Sequence, residues 1–225
     1  NDVSFVTAIG DGTLKANNQN SIVAIGHRAM TSANTGTQST AVGTFALTNN
    51  LGGSNNTGTG FEVMKANTTG SQNTANGTQG SQNNQTGSNN TSGGYRALRL
   101  NVNGNLNAAF GESALLQSTG NNNTANGAEA FFNLTSGSDN VGAGFNSGGV
   151  ATSTNNFIAI GSGAGATGQK VNGSNMLVVG KNGYVTTDGY MGFGSAGFPY
   201  THAFLGEGEL STSPSNFTIS GTNAS

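Results

Sequence analysis

Glycine recurs along this 225-residue chain at a nearly fixed step, and that period constrains the fold more than any motif does. The glycines closing short runs such as Val23-Ala24-Ile25-Gly26 are Gly26, Gly43, Gly60, Gly77, Gly94, Gly111, Gly127, Gly144, Gly161 and Gly180. The step is 17 residues, except for 16 after Gly111 and 19 after Gly161, and Gly10 stands 16 before Gly26. A second ladder runs half a period behind, through Gly36, Gly53, Gly70, Gly87, Gly104, Gly120, Gly137 and Gly173. Only glycine enters positive-φ or crowded conformations cheaply, so two phase-locked glycines mark two sharp backbone features per repeat. A short period held over about ten copies predicts a solenoid.

Each repeat can be read around its anchor glycine. Offsets minus two and zero are small (Ala24 and Gly26, Ala109 and Gly111), whereas minus three and minus one are larger (Val23 and Ile25, Ile158 and Ile160). This alternation predicts a short strand before the glycine, with the small residues inward. A second strand is expected after it, carrying a small and then a large apolar residue at offsets three and four, as in Ala97-Leu98 and Ala114-Leu115. An Asn/Ser/Thr/Gly turn closes the coil, and Ser71 reads as a replaceable turn residue. Coils stacked about 4.8 Å apart give a rod of roughly 50 Å. The minus-four column reads Asn56, Asn73, Asn90, Asn107, Asn123, Asn140. Such a file either bonds amide to amide along the stack or simply faces solvent as a turn residue.

Composition fits this reading. Hydrophobic residues make up 33% and charged residues 7%, which would suggest disorder, but the net charge is only −2 and the period is strict. With no cysteine there is no disulfide framework and no thiolate metal site. The longest apolar runs are too short to span a bilayer, so no membrane insertion is expected. Little charge and no basic run argue against nucleic acid as a partner. Asn1 in place of Met reads as an interior or processed start. A narrow coil lined by Ala and Gly buries little apolar area, so self-association through a flat face is expected.

The repeats Asn20-Ser21-Ile22-Val23-Ala24-Ile25-Gly26 and Asn156-Phe157-Ile158-Ala159-Ile160-Gly161 resemble the head domains of trimeric autotransporter adhesins. The Thr74-Ala75-Asn76-Gly77 form and the Tyr95-Arg96-Ala97-Leu98 segment are similar to repeats in bacteriophage tail fibres. The resemblance covers roughly residues 3–183. It implies an all-β, left-handed parallel β-roll, a homotrimer, and an extracellular place on a virion tail fibre or a bacterial cell surface. Two units are expected: a repeat domain over 1–183 and a capping or connector segment over 184–225, which concentrates aromatics such as Tyr190, Phe198 and Tyr200.

No HExxH, nucleophile elbow or phosphate loop occurs, and the acids are scattered, so neither catalysis nor a cofactor or metal is expected. The residue after the anchor glycine is the exposed, variable column, and Phe61, Tyr95 and Phe145 are its aromatics on a polar rod. Aromatics beside Asn and Arg suit saccharides, though packing across a subunit boundary explains them as well. The candidate receptor-binding residues are therefore Phe61, Tyr95, Arg96, Arg99, Phe145, Phe198 and Tyr200. The function expected is a non-enzymatic attachment fibre for a cell-surface glycan or protein receptor. Its rivals are a structural extracellular filament and an ice-binding solenoid, the latter suggested by Thr57, Thr59, Thr74, Thr91 and Thr124.

Overall fold

The computed structural model describes residues 5–15, 21–32, 35–166 and 174–183, and the backbone of 191–193. It is all-β. Twelve strands pair in chain order into one parallel sheet. They are β1 (Val6–Ile9), β2 (Ile22–Ile25), β3 (Thr40–Val42), β4 (Thr57–Thr59), β5 (Thr74–Asn76), β6 (Thr91–Gly93), β7 (Ala108–Phe110), β8 (Thr124–Asn126), β9 (Val141–Ala143), β10 (Asn155–Ile160), β11 (Ser174–Val179) and β12 (Met191–Phe193). The register repeats the sequence period: Thr40 faces Thr57 and Thr57 faces Thr74. The short step appears as Ala108 facing Thr124, and the long one as Asn155 facing Ser174. The chain is a parallel β-solenoid.

From β2 to β10 the small residue at minus two is buried and its neighbours face outward, as in the Ala75 and Ala125 coils; in β1 the same position, Ala8, is exposed. The anchor glycine then turns the chain at φ near +120° to +146° across the interior repeats, for instance +120° at Gly77. A Cβ at Gly77 would also stand 2.6 Å from the carbonyl oxygen of Gly94 in the next coil. Conformation and crowding together exclude any side chain there.

The second half of the coil departs from expectation. It is not a strand. Offsets two and four have positive φ, as in Arg96 (58°) and Leu98 (52°), or Phe45 (59°) and Leu47 (48°). In a strand, successive side chains point to opposite faces, yet Ala97 and Leu98 are both fully buried, as are Ala46 and Leu47. The left-handed residue at offset four re-aims its side chain inward beside its neighbour. Such a conformation costs roughly 1–2 kcal/mol per residue. It is offset by burial of the large apolar side chain and by unbroken hydrogen bonding between coils. The Arg96 N–H donates back to Thr78 at 3.0 Å, and the Leu98 N–H donates forward to Ala114 at 3.0 Å.

The asparagine column faces inward. Asn56, Asn73, Asn90, Asn107, Asn123 and Asn140 are all buried. Each Oδ1 accepts the backbone N–H of the next member, with Asn73 to Asn56 at 3.0 Å and Asn90 to Asn73 at 2.9 Å. A second buried file stands at offset seven: Asn50, Asn67, Asn84 and Asn101. Here Nδ2 donates down the stack, as from Asn84 to Asn67 at 2.9 Å. Both files also donate to the half-period glycines. The Gly87 carbonyl accepts from Asn73 and Asn84, each at 2.8 Å. A Cβ at Gly70 would meet the Gly87 carbonyl oxygen, Asn67 Oδ1 (2.6 Å) and Asn84 Nδ2 (2.8 Å). The second glycine ladder makes room for the amides.

The apolar interior falls into two clusters, Ile22 to Ala75 and Ala97 to Val178. Between them, offset four holds Ser81, whose Oγ meets Ser92 Oγ at 3.0 Å. Beyond Phe131 the filling changes again. Phe131 and Phe157 pack edge to face at 5.8 Å. Phe131 occupies space that a side chain on Gly142 or Gly148 would need, and Phe157 does the same at Gly165.

Candidate functional site

The outer side of the turn segment is formed by offsets one, two and five. Lys15, Arg28, Lys65, Arg96 and Arg99 all stand at offset two or five, so the winding gathers them on one lateral stripe. Phe61, Tyr95 and Phe145, at offset one, border it with 44%, 40% and 56% of their surface exposed. Tyr95, Arg96 and Arg99 share one coil, and the Arg96 guanidinium lies 4.6 Å from the Tyr95 ring centroid. Phe61 begins the coil two steps below. Phe145 lies in the same column three steps beyond Tyr95. Phe198 and Tyr200 lie outside the described residues.

Glu62 ties the stripe together. Its Oε1 accepts from Lys65 Nζ at 2.7 Å, and its Oε2 from Gln82 Nε2 at 2.7 Å and Gln79 Nε2 at 3.2 Å. The glutamines in turn accept from the next coil: Arg96 Nε reaches Gln79 Oε1 at 3.1 Å, and Arg99 Nε reaches Gln82 Oε1 at 2.9 Å. One carboxylate thus orients two guanidinium groups two coils away, each through a glutamine. Among the described residues no protein acceptor engages the terminal nitrogens of either arginine. The hydrogen bond from Lys65 holds the Glu62 carboxyl below its ordinary value, against the opposing effect of burial, with help from Gln79 and Gln82.

A second cluster lies toward the N-terminal end. Phe45 packs edge-on against His27 at 5.4 Å and Phe61 at 6.4 Å. Lys65 Nζ stands 5.2 Å and the Arg28 guanidinium 6.0 Å from the Phe45 ring centroid. Phe61 thus joins an aromatic row that the sequence reading did not include. The missed residues Arg28, Phe45, Glu62, Lys65, Gln79 and Gln82 carried one usable signal, the recurrence of cations and long polar chains at offsets two and five.

Other surfaces offer less. The outward sheet face has one threonine file, Thr40, Thr57, Thr74 and Thr91, interrupted by Ala108 before Thr124. Beside it the minus-one file holds Val42, Thr59, Asn76, Gly93 and Phe110, so a regular double rank for ice does not form. Among the described residues no group of three or more His, Cys, Asp or Glu side chains is placed to hold a metal ion, and no helix is long and apolar enough to cross a membrane. Comparison with family models, with curated proteins and with solved structures gave no match.

Proposed function

We propose that this chain is the shaft and lateral binding surface of a non-enzymatic attachment fibre, displayed outside the cell on a virion or bacterial surface. The observation that carries this reading is the oriented Tyr95–Arg96–Arg99 cluster. On a rod whose sheet face is repetitive and uncharged, the Glu62–glutamine relay fixes two guanidinium groups, that of Arg96 against an exposed ring. A flat apolar ring with directional donors suits a glycan receptor, and Phe61 and Phe145 extend the same border. The reading requires no cofactor, nucleic acid or membrane insertion by these residues. The resemblance to adhesin heads and tail fibres points the same way.

Self-association, as a homotrimer, belongs to this reading. The outward sheet face carries no charge from β2 to β11 and is aliphatic toward both ends, where Ile9, Val141, Ile158 and Ile160 are exposed. Repetition of one weak site on several chains raises avidity without new contacts.

The test is adsorption of the labelled protein to receptive bacterial or host cells. Tyr95→Ala with Arg96→Ala should abolish adsorption while leaving the thermal unfolding profile intact. Unchanged adsorption would reduce this segment to a spacer. Light scattering on the same samples should give a multiple of 22.4 kDa, and a folded monomer at low concentration would remove the trimer.

A further inference from the structure

An open groove of about 530 Å³ crosses the lateral stripe near its N-terminal end, between Lys15 and Lys65, with Phe45, Thr48 and Asn49 among its lining. Its charges are unequal. Lys65 is neutralised by Glu62 at 2.7 Å. Lys15 and Arg28 are not neutralised: among the described residues no acid pairs with either, and Asp11 is engaged with His27 at 3.7 Å. Gly12 lets the two stems converge. A Cβ built on it would stand 3.2 Å from Arg28 Cγ and 3.4 Å from Lys15 Cε, with Lys15 Nζ at 3.8 Å. With both stems over Gly12 and no acid paired with either head, an anion placed between the two is attracted by both.

The rest of the lining is that of a sugar site. Phe45 offers a ring already flanked by two cations. Thr48 Oγ1 spends its proton on the Phe45 carbonyl at 2.7 Å and retains acceptor capacity. Asn49 Oδ1 accepts from Ser32 at 3.3 Å, and among the described residues its Nδ2 hydrogens meet no acceptor.

We infer that this groove binds an acidic saccharide, with the sugar ring against Phe45, its hydroxyls on Thr48 and Asn49, and its carboxylate or sulfate between Lys15 and Arg28. A polyanion such as nucleic acid fits less well, because the unpaired cations are confined to one end of the groove. The assignment deepens the attachment reading, from which it takes the glycan class, and adds a site distinct from the Tyr95 cluster.

The experiment is titration calorimetry on the full chain with four probes: a galacturonate oligosaccharide, its methyl ester, a heparin-derived sulfated oligosaccharide and a single-stranded oligonucleotide. One or both acidic sugars should bind and the methyl ester should not; which acid binds identifies the group. Lys15→Gln with Arg28→Gln should weaken binding about tenfold or more, the loss of one charge-assisted contact or better. Added salt should weaken the unmodified chain likewise, a readout that does not depend on any variant folding. Equal binding of the methyl ester, tighter binding of the oligonucleotide, or no binding of either acid overturns the assignment. Failure of the attachment reading looks different: sugar binding persists in the calorimeter while cell adsorption ignores the Tyr95 and Arg96 substitutions.

Discussion

Two stretches of the interior fill the same backbone coil with opposite chemistry. From Asn50 to Asn101 offset seven is an amide file; the same column then reads Ser118, Leu134 and Ala151. At minus four, the file from Asn56 to Asn140 gives way to Phe157 and Met176. The coil geometry therefore asks for buried, stackable volume and not for apolarity. Amides meet that demand because every coil presents the same carbonyls and N–H groups one step away, so each new asparagine finds its partners in place. Phenylalanines meet it by borrowing space from Gly142, Gly148 and Gly165. A chain that is 33% hydrophobic can thus fill its interior, and the case for self-association rests on the outer sheet face more than on an underfilled core.

The aromatic stretch should be the more sensitive to lost volume. Phe157→Ala removes one ring of an edge-to-face pair and leaves a void that the coil cannot collapse, because its neighbours are fixed by hydrogen bonds. The expected cost is about 3–5 kcal/mol, read from denaturant unfolding. A cost below about 1 kcal/mol would show that the C-terminal coils close over gaps, which would break the contrast.

The amide stretch should be sensitive to chemistry at constant branching. Asn90→Leu keeps the number and branching of the heavy atoms but strips the acceptor from the Asn107 N–H, now bonded at 3.0 Å, and from Asn107 Nδ2 at 3.2 Å. It also removes one of the two donors to the Gly104 carbonyl, Asn101 remaining at 3.0 Å. One buried N–H is left unpaired, so about 1–3 kcal/mol should be lost. A stabilised Leu variant would mean that the amides are tolerated and not structural.

Much of this was legible in the sequence and some was not, for one physical reason. Period and alternation report which residues share a column, and so Leu98 and Leu115 were placed in one apolar column, and the strand at minus three to minus one was placed correctly with its small residue inward. They do not report backbone handedness. The turn segment carries its positive φ on Arg96, Leu98 and Glu129, residues with no preference for it, so it read as a second strand. Inward or outward direction of the asparagines stayed open because a polar residue at a turn looks the same either way. Ser71 was misjudged on the same ground: its Oγ accepts the Ser54 N–H at 3.1 Å. Of the candidate site, Phe61, Tyr95, Arg96 and Arg99 were visible as pattern-breakers. Their connection through Glu62, Gln79 and Gln82 depends on which offsets share the outer face, and that follows only from the unexpected turn geometry.

Acid should separate the two stretches by a smaller margin. Glu62 ionises below its ordinary value of 4.5 in the folded chain. A depressed carboxylate contributes stability above its unfolded pKa and loses it as pH falls through the folded value. Lowering pH from about 5 to about 3 should therefore reduce amide protection, taken relative to the intrinsic exchange rate at each pH, around residues 62–99 while residues 130–160 change little. An equal loss of protection in both would mean that the Glu62 relay is not what orders that surface.

The smallest effect sits where the offset-seven amide file ends. In the asparagine coils a half-period glycine follows three residues later, and Nδ2 reaches its carbonyl, as from Asn101 to Gly104 at 3.0 Å. The 16-residue step removes one residue here, so Gly120 follows Ser118 by only two, and the reach is lost. Ser118 Oγ is buried with no hydrogen-bond partner. Deleting an unpartnered buried hydroxyl removes a desolvated polar atom at the cost of a very small void, so Ser118→Ala should be neutral or stabilise by under about 1 kcal/mol. Ser81→Ala makes the matched comparison, because Ser81 Oγ is bonded to Ser92, and its removal should destabilise by about 1 kcal/mol. Paired thermal melts decide the matter. If Ser118→Ala is the more harmful of the two, the hydroxyl has a bound partner such as water.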